Sequence, residues 1–330
     1  YAEAASRLYE ILIRPAEPLL GDRPNLIISP DGPLLQLSFE ALLTTPSAGS
    51  GGGYGGLPYL ILDRSVSYVP SASILAELRE PRPASAETAK LFLGFGAPDY
   101  GAAGRAPGTG PAAPEGSLAQ TFRDSGLLNP QPLPASREEV SRIAGLYPPD
   151  RVRLYLDGQA SEANVKANPF LKEARRIHFA VHGFVNEKEP ELSGLLLSLN
   201  GDPWENGLLQ TYEIFNLELN ADLVVLSACD TGLGKNVSGE GLIGVTRALF
   251  YAGAASVVVS LWQVADTSTS DLMVRFYRHL NEAGDRAEAL RLSKLELIRE
   301  GRFDHPYYWA PFILIGQPRS PVTPGVLARQ

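Results

Sequence analysis

Cysteine is almost missing from this sequence: Cys229 stands alone among 330 residues. One thiol excludes an internal disulfide and any multi-cysteine metal site. Without an oxidative framework, a reducing, cytoplasmic setting is expected. Long apolar runs are missing too. The longest stretch, Ala254 to Trp262, is broken by Ser256 and Ser260 and falls well short of the roughly 18 residues that cross a bilayer, so no membrane partner is expected. Positive charge is in deficit, with Lys plus Arg at 29 against Asp plus Glu at 37 and a formal net charge of −8. That balance argues against a nucleic-acid binder held by phosphate contacts. A secretory leader is not apparent, since YAEAASRLYEILIRP lacks a basic start and a small-residue cleavage site. It reads instead as an amphipathic helix ended by Pro15, and Tyr1 in place of an initiator Met suggests a fragment or processed form.

What is present is core material. Hydrophobic residues make up 44% and charged residues 20%, which excludes the disordered class. Glycine and proline cluster in two places, Thr45–Pro58 and Ala97–Pro134, both read as flexible surface insertions. Elsewhere short apolar runs alternate with helical patterns. Strands are expected over Leu26–Ser29, Ser65–Val69, Lys90–Gly96, Val152–Tyr155, Arg176–Val181, Ser193–Leu199, Asp222–Ala228, Ser256–Trp262 and Pro311–Ile315. Helices are expected over Ser71–Arg79, Ser136–Leu146, Ser161–Leu171, Gly241–Tyr251, Ser270–Leu280 and Arg286–Arg299, with a helical turn at Thr211–Phe215. Ser136 and Glu139 fit a capping box. Near-continuous apolar strands between helices imply an α/β fold, a parallel-rich sheet with helices on both faces. Length suggests two units, divided here as a supporting part over 1–87 and a main part over 88–330 that carries the insertion at about 97–134.

In such sheets ligands meet the carboxyl ends of the strands. Two chemically capable residues fall there. The strand over 176–181 runs into His182-Gly183, and the strand over 222–228 runs into Cys229-Asp230-Thr231-Gly232. A cysteine with a histidine roughly 50 residues upstream is the caspase spacing. A thiolate attacks, and a histidine takes the thiol proton and returns it to the leaving amine. The amides of Gly183 and Cys229 are candidates to form an oxyanion hole. A lone cysteine is by itself more often core filling; the two strand tips together favour catalysis. Asp230 would raise the thiol pKa if it turned inward, so it is expected to face away. His178 lies deeper on the same strand and reads as a core residue. His279 near a helix C-terminus and His305 before Pro306 compete less well. No carboxylate cluster accompanies them, so no metal and no cofactor are expected.

The segments ARRIHFAVHGF, LSGLLLS, ADLVVLSACDTGLG, GEGLIGVTRALFYAGAASVVVSLWQVAD and WAPFILIG resemble the CHAT domain family of caspase-like cysteine peptidases, similar to separase, gingipain and the caspases. LIISPDGPLLQLSFEALL, YLILDRSVSYVPSASIL and LFLGFGAPDY extend the resemblance upstream over nearly the whole chain. It implies a caspase-like fold preceded by a smaller supporting or pseudo-caspase subdomain, with His182 as catalytic histidine and Cys229 as nucleophile. It also implies a protein or peptide substrate and a partner array of tetratricopeptide repeats, although no such repeats are visible here. Related bacterial proteases act in antiviral defence on gasdermin-like pore formers or on a CRISPR-associated partner.

Such peptidases hold the residue before the cut in a pocket near the cysteine strand. Asp266, at the carboxyl end of the next strand, is a candidate to bind a P1 Lys or Arg. The competing reading is a cap on the helix starting near Ser268–Ser270. Trp262 is a candidate pocket wall, against a plain packing role. Glu240 reads as a favourable charge at a helix start. The alternative to an enzyme is a catalytically silent caspase-like interaction module. A nucleotide-binding reading is weak, because GLGKNVSGEG lacks the P-loop order.

Overall fold

A computed structural model of the chain describes residues 1–46, 53–79, 91–100, 130–186, 189–199, 204–227 and 240–319, the last stretch without the side chains of 240–242. The expected alternation is there. The strands are β1 (Asn25–Ile28), β2 (Ser65–Tyr68), β3 (Leu91–Gly96), β4 (Val152–Leu156), β5 (Ala174–Ala180), β6 (His182–Phe184), β7 (Gly194–Leu196), β8 (Leu208–Gln210), β9 (Leu223–Leu226), β10 (Ser256–Ser260) and β11 (Phe312–Gly316). The longer helices are α1 (Ala2–Leu12), α2 (Ala72–Leu78), α3 (Pro134–Ala144), α4 (Glu240–Ala252), α5 (Asp266–Ala283) and α6 (Arg286–Glu300).

Eight strands form one sheet in the order β1-β2-β11-β10-β9-β5-β3-β4. Every pairing is parallel except β10 with β11. Side chains alternate across it as the strand period demands. Val224 and Val257 join one core with Val245 and Leu249 of α4. Val225 and Val258 join the other with Val140 of α3, Phe276 of α5 and Leu290 of α6. Helices therefore cover both faces, and β1 and β2 extend the same sheet rather than forming one of their own.

Three local expectations fail. The helix expected to begin at Ser136 starts at Pro134, with Leu133 as cap residue and no side-chain cap bond; proline is favoured at this first position. Ser136 Oγ instead donates to the Leu133 carbonyl at 2.7 Å and accepts the Ala97 N–H at 2.9 Å, so the capping box does not form. The helix expected over Ser161–Leu171 ends at Lys166, because the residues before Pro169 are pushed out of helical geometry. Finally, β6 and β8 are absent from the expected strands.

A buried ion pair fastens the N-terminal segment to the rest. Lys294 Nζ on α6 lies 2.9 Å from Glu40 Oε1, with side chains 1% and 3% exposed. Glu40 Oε2 accepts from the Tyr68 hydroxyl at 2.5 Å and from Ser38 Oγ at 3.2 Å. Burial holds the Lys294 ammonium below its ordinary pKa, and Glu40 opposes that shift. Removing one member of such a pair strands the other charge. Lys294→Met is expected to lower unfolding stability by about 3–5 kcal/mol, and adding Glu40→Gln should recover much of the loss. Urea unfolding checks both, and a loss below about 1 kcal/mol in the single variant contradicts the assignment.

Candidate active site

Because β5, β9 and β10 run parallel, their carboxyl ends share one edge of the sheet. Phe179 of β5 stands opposite Leu226 of β9, and the Ser227 N–H donates to the Phe179 carbonyl at 3.0 Å. The chain therefore leaves β9 level with the end of β5. Cys229, with Asp230, Gly232 and Lys235, lies outside the described residues. The side chain of Glu240 does too.

His182 opens β6, two residues past the end of β5, with Val181 between them. The chain turns there into a small antiparallel sheet, β6-β7-β8, with His182 opposite Leu196 and Gly183 opposite Leu195. Strands β7 and β8 lie close because Gly194 has no side chain: a Cβ there would sit 2.1 Å from the Leu209 carbonyl oxygen. The imidazole is buried. Its Nε2 lies 2.6 Å from the Gln131 carbonyl oxygen, and the Tyr100 ring stacks on it at 5.4 Å between centroids. A carbonyl only accepts, so Nε2 carries a proton, and in the neutral ring Nδ1 is the acceptor nitrogen. Tyr100 and Gln131 bracket the glycine- and proline-rich stretch, of which 101–129 lie outside the described residues.

His178 has a different environment. Its Nε2 lies 2.7 Å from Glu139 Oε1 and its Nδ1 3.2 Å from the Tyr277 hydroxyl, with the histidine and glutamate side chains 0% and 1% exposed. Both ring nitrogens are used inside the core, as expected for a packing residue. His279 pairs with Glu296 at 2.8 Å. His305 Nδ1 accepts the Tyr307 N–H at 3.0 Å and caps a helical turn.

Asp266 is half-buried on the same edge. The cap reading needs correction: Asp266 is the first residue of α5, the cap residue is Ala265, and no side-chain cap bond forms. Its Oδ2 reaches across to α3 and accepts the Ala135 N–H at 2.7 Å. Burial raises its carboxyl pKa, and the Ala135 N–H draws it back down. Nearby Glu139 adds to the rise, and His182, when protonated, opposes it. Trp262, also half-buried, packs on the α5 side of the core and donates Nε1–H to the Tyr307 carbonyl at 3.1 Å.

Among the described residues one carboxylate cluster has metal-like spacing, Glu162, Glu205 and Glu213. Lys166 Nζ sits among the three at 3.0, 2.7 and 2.8 Å, so an ammonium already occupies the place a cation would take. Sequence reasoning misses this cluster because its members come from three separate segments.

The CHAT domain family model matches residues 2–317. The chain belongs to the CHAT domain family. A segment of 115 residues, 34% of this CHAT chain, is 35% identical to tetratricopeptide repeat protein 28 of Mus musculus and of Homo sapiens, and spans only 5% of those relatives' length. Among solved structures, the Arg-specific cysteine proteinase gingipain R matches 96% of the CHAT chain and 66% of its own, at 9% identity and a TM-score of 0.51. Separase of Saccharomyces cerevisiae, solved with securin, covers 81% of this chain and 15% of its own at 15% identity and a TM-score of 0.46. The fold of this CHAT domain is thus the caspase-like α/β fold, with the mostly parallel sheet already described. No helix among the described residues is long and apolar enough to cross a membrane.

Proposed function

We propose that the chain is a cysteine endopeptidase that cuts a protein substrate through a Cys229–His182 dyad. The observation that carries this reading is the tethered histidine. His182 stands at the end of β5 with Nε2 committed to the Gln131 carbonyl, one strand from the point where β9 runs toward Cys229. Nδ1 takes the thiol proton, and the thiolate attacks the scissile carbonyl. The amides of Gly183 and Cys229 hold the resulting oxyanion. The imidazolium then protonates the departing amine, leaving a thioester. Water, deprotonated by the same nitrogen, hydrolyses that thioester and frees the cysteine.

Asp266 is proposed to line the pocket for the P1 side chain, with Trp262 as a wall. The half-buried carboxylate on the shared edge favours a P1 Lys or Arg, and gingipain R, which shares the fold, is Arg-specific. Asp266→Asn is expected to reduce kcat/KM for a P1 Arg peptide by at least tenfold more than for the matched P1 Leu peptide, since only the former loses a charge-assisted contact. Equal losses on both peptides would remove the acidic pocket from the account. A regulatory tetratricopeptide repeat region, a cytoplasmic setting and a defence role against a gasdermin-like or CRISPR-associated substrate belong to this proposal by family analogy.

The decisive experiment is labelling with electrophilic peptides varied at P1, read by mass spectrometry. Adduct formation on Cys229, blocked by His182→Ala, is the expected result. No adduct with any peptide would favour a silent interaction module.

A further inference from the structure

We propose that Asp266 is also a positioning residue for His182, acting through the backbone of residues 131–135. This inference rests on His182 being the general base, as argued above. Asp266 Oδ2 accepts the Ala135 N–H at 2.7 Å, and four residues earlier the Gln131 carbonyl accepts the His182 Nε2–H at 2.6 Å. The intervening chain is Gln131-Pro132-Leu133-Pro134, where two rings fix two of the φ angles. Its middle is fastened as well, since the Leu133 carbonyl accepts from Ser136 Oγ at 2.7 Å and Ser136 Oγ is itself tied to the Ala97 N–H at 2.9 Å. A stiff strap of this kind transmits a shift at Ala135 to the Gln131 carbonyl instead of absorbing it.

The carboxylate is placed for that task rather than for its own helix. It makes no cap bond on α5. It sits at the N-terminus of the 11-residue α3, where a negative charge is favoured by the helix dipole. Asp266 thus joins the start of α5 to the start of α3, and the strap from α3 sets which nitrogen of His182 carries the proton. A slack strap would let the imidazole turn or exchange tautomers, and Nδ1 would no longer be held as the base.

The test separates this role from P1 recognition by using a P1 Leu peptide, which makes no ion pair with Asp266. On the full chain, Asp266→Ala is expected to lower kcat for that peptide by about 10²-fold with KM little changed. Asp266→Asn keeps an oxygen for the Ala135 N–H and should recover at least about tenfold of that loss. Nitrogen-15 histidine spectra in the Cys229→Ala background give a readout that needs no turnover. His182 should be held in the Nε2–H form both with Asp266 intact and in Asp266→Asn, and should become a tautomer mixture in Asp266→Ala. An Ala variant within about twofold of wild type with an unchanged tautomer overturns the proposal. So does an Asn variant as poor as the Ala one. If the Ala chain does not fold, a mixed tautomer in the Asn chain overturns it alone. Should wild type cleave no peptide while the tautomer still follows the acceptor, the protease reading fails and the positioning role stands.

Discussion

Cys229→Ala is expected to abolish cleavage of the native substrate, with a loss of the order of 10⁵–10⁶-fold in kcat for a peptide, the scale seen when a covalent nucleophile is removed. The chain holds no second cysteine, so no other thiol can form the thioester. A lesser residue could only help water attack, which leaves the difficult step undivided. Single-turnover assays of purified variant against wild type give the number. Residual cleavage above about a hundredth of wild type would sink the covalent mechanism. Cys229→Ser is the informative companion, since a hydroxyl in place of the thiol keeps the shape while its proton is far harder to remove.

The second large effect belongs to His182. His182→Ala removes the proton carrier and should lower kcat by about 10²–10⁴-fold, with binding of a substrate-like inhibitor largely kept. His178→Ala is the control that makes this specific. It leaves Glu139 and Tyr277 without their buried partner, so it should lower the unfolding midpoint while active folded protein keeps most of its turnover. A stable, inactive His178 variant beside an active His182 variant would reverse the assignment. The two histidines stand four residues apart, His178 within β5 and His182 at the start of β6. What separates them is the partner of Nε2: a buried carboxylate for His178 and a main-chain carbonyl at the sheet edge for His182.

These partners also mark the limit of what the sequence discloses. The β9 and β10 runs and the glycine-punctuated helices are legible because strand and helix periods are local. His182 and Gly183 stand out because a strand end is visible in the pattern. Ser-x-x-Glu at 136–139 misleads, because a capping box and a buried glutamate look alike until the residue opposite is known; here it is His178 from β5. β6, His182–Phe184, and β8, Leu208–Gln210, escape notice because three residues are too few to show a period. The Gln131 carbonyl carries no side-chain signature, so no reading of residue types could select it. Asp266 is legible as a carboxylate at a strand end, but its bond to Ala135 joins positions 131 residues apart, set by the packing of α3 against α5.

The position of β11 has a consequence for how the molecule is made. Strands β3, β4, β5, β9 and β10 are synthesised before β11, and apart from the later β10–β11 pairing they pair only with one another. Among the described residues, the β1–β2 ribbon, although made earlier, pairs with the main sheet only through β11, by the Ile315–Tyr68 pairing, and Glu40 waits for Lys294 across 254 positions. Two short strands alone are not independently stable, and contacts this distant are slow to form. The β1–β2 ribbon, made before the rest of this sheet, is therefore the last part of it to settle. On this order of assembly the edge bearing His182 takes shape while the N-terminal ribbon is still undocked, and docking is completed only after the last strand of the sheet has emerged.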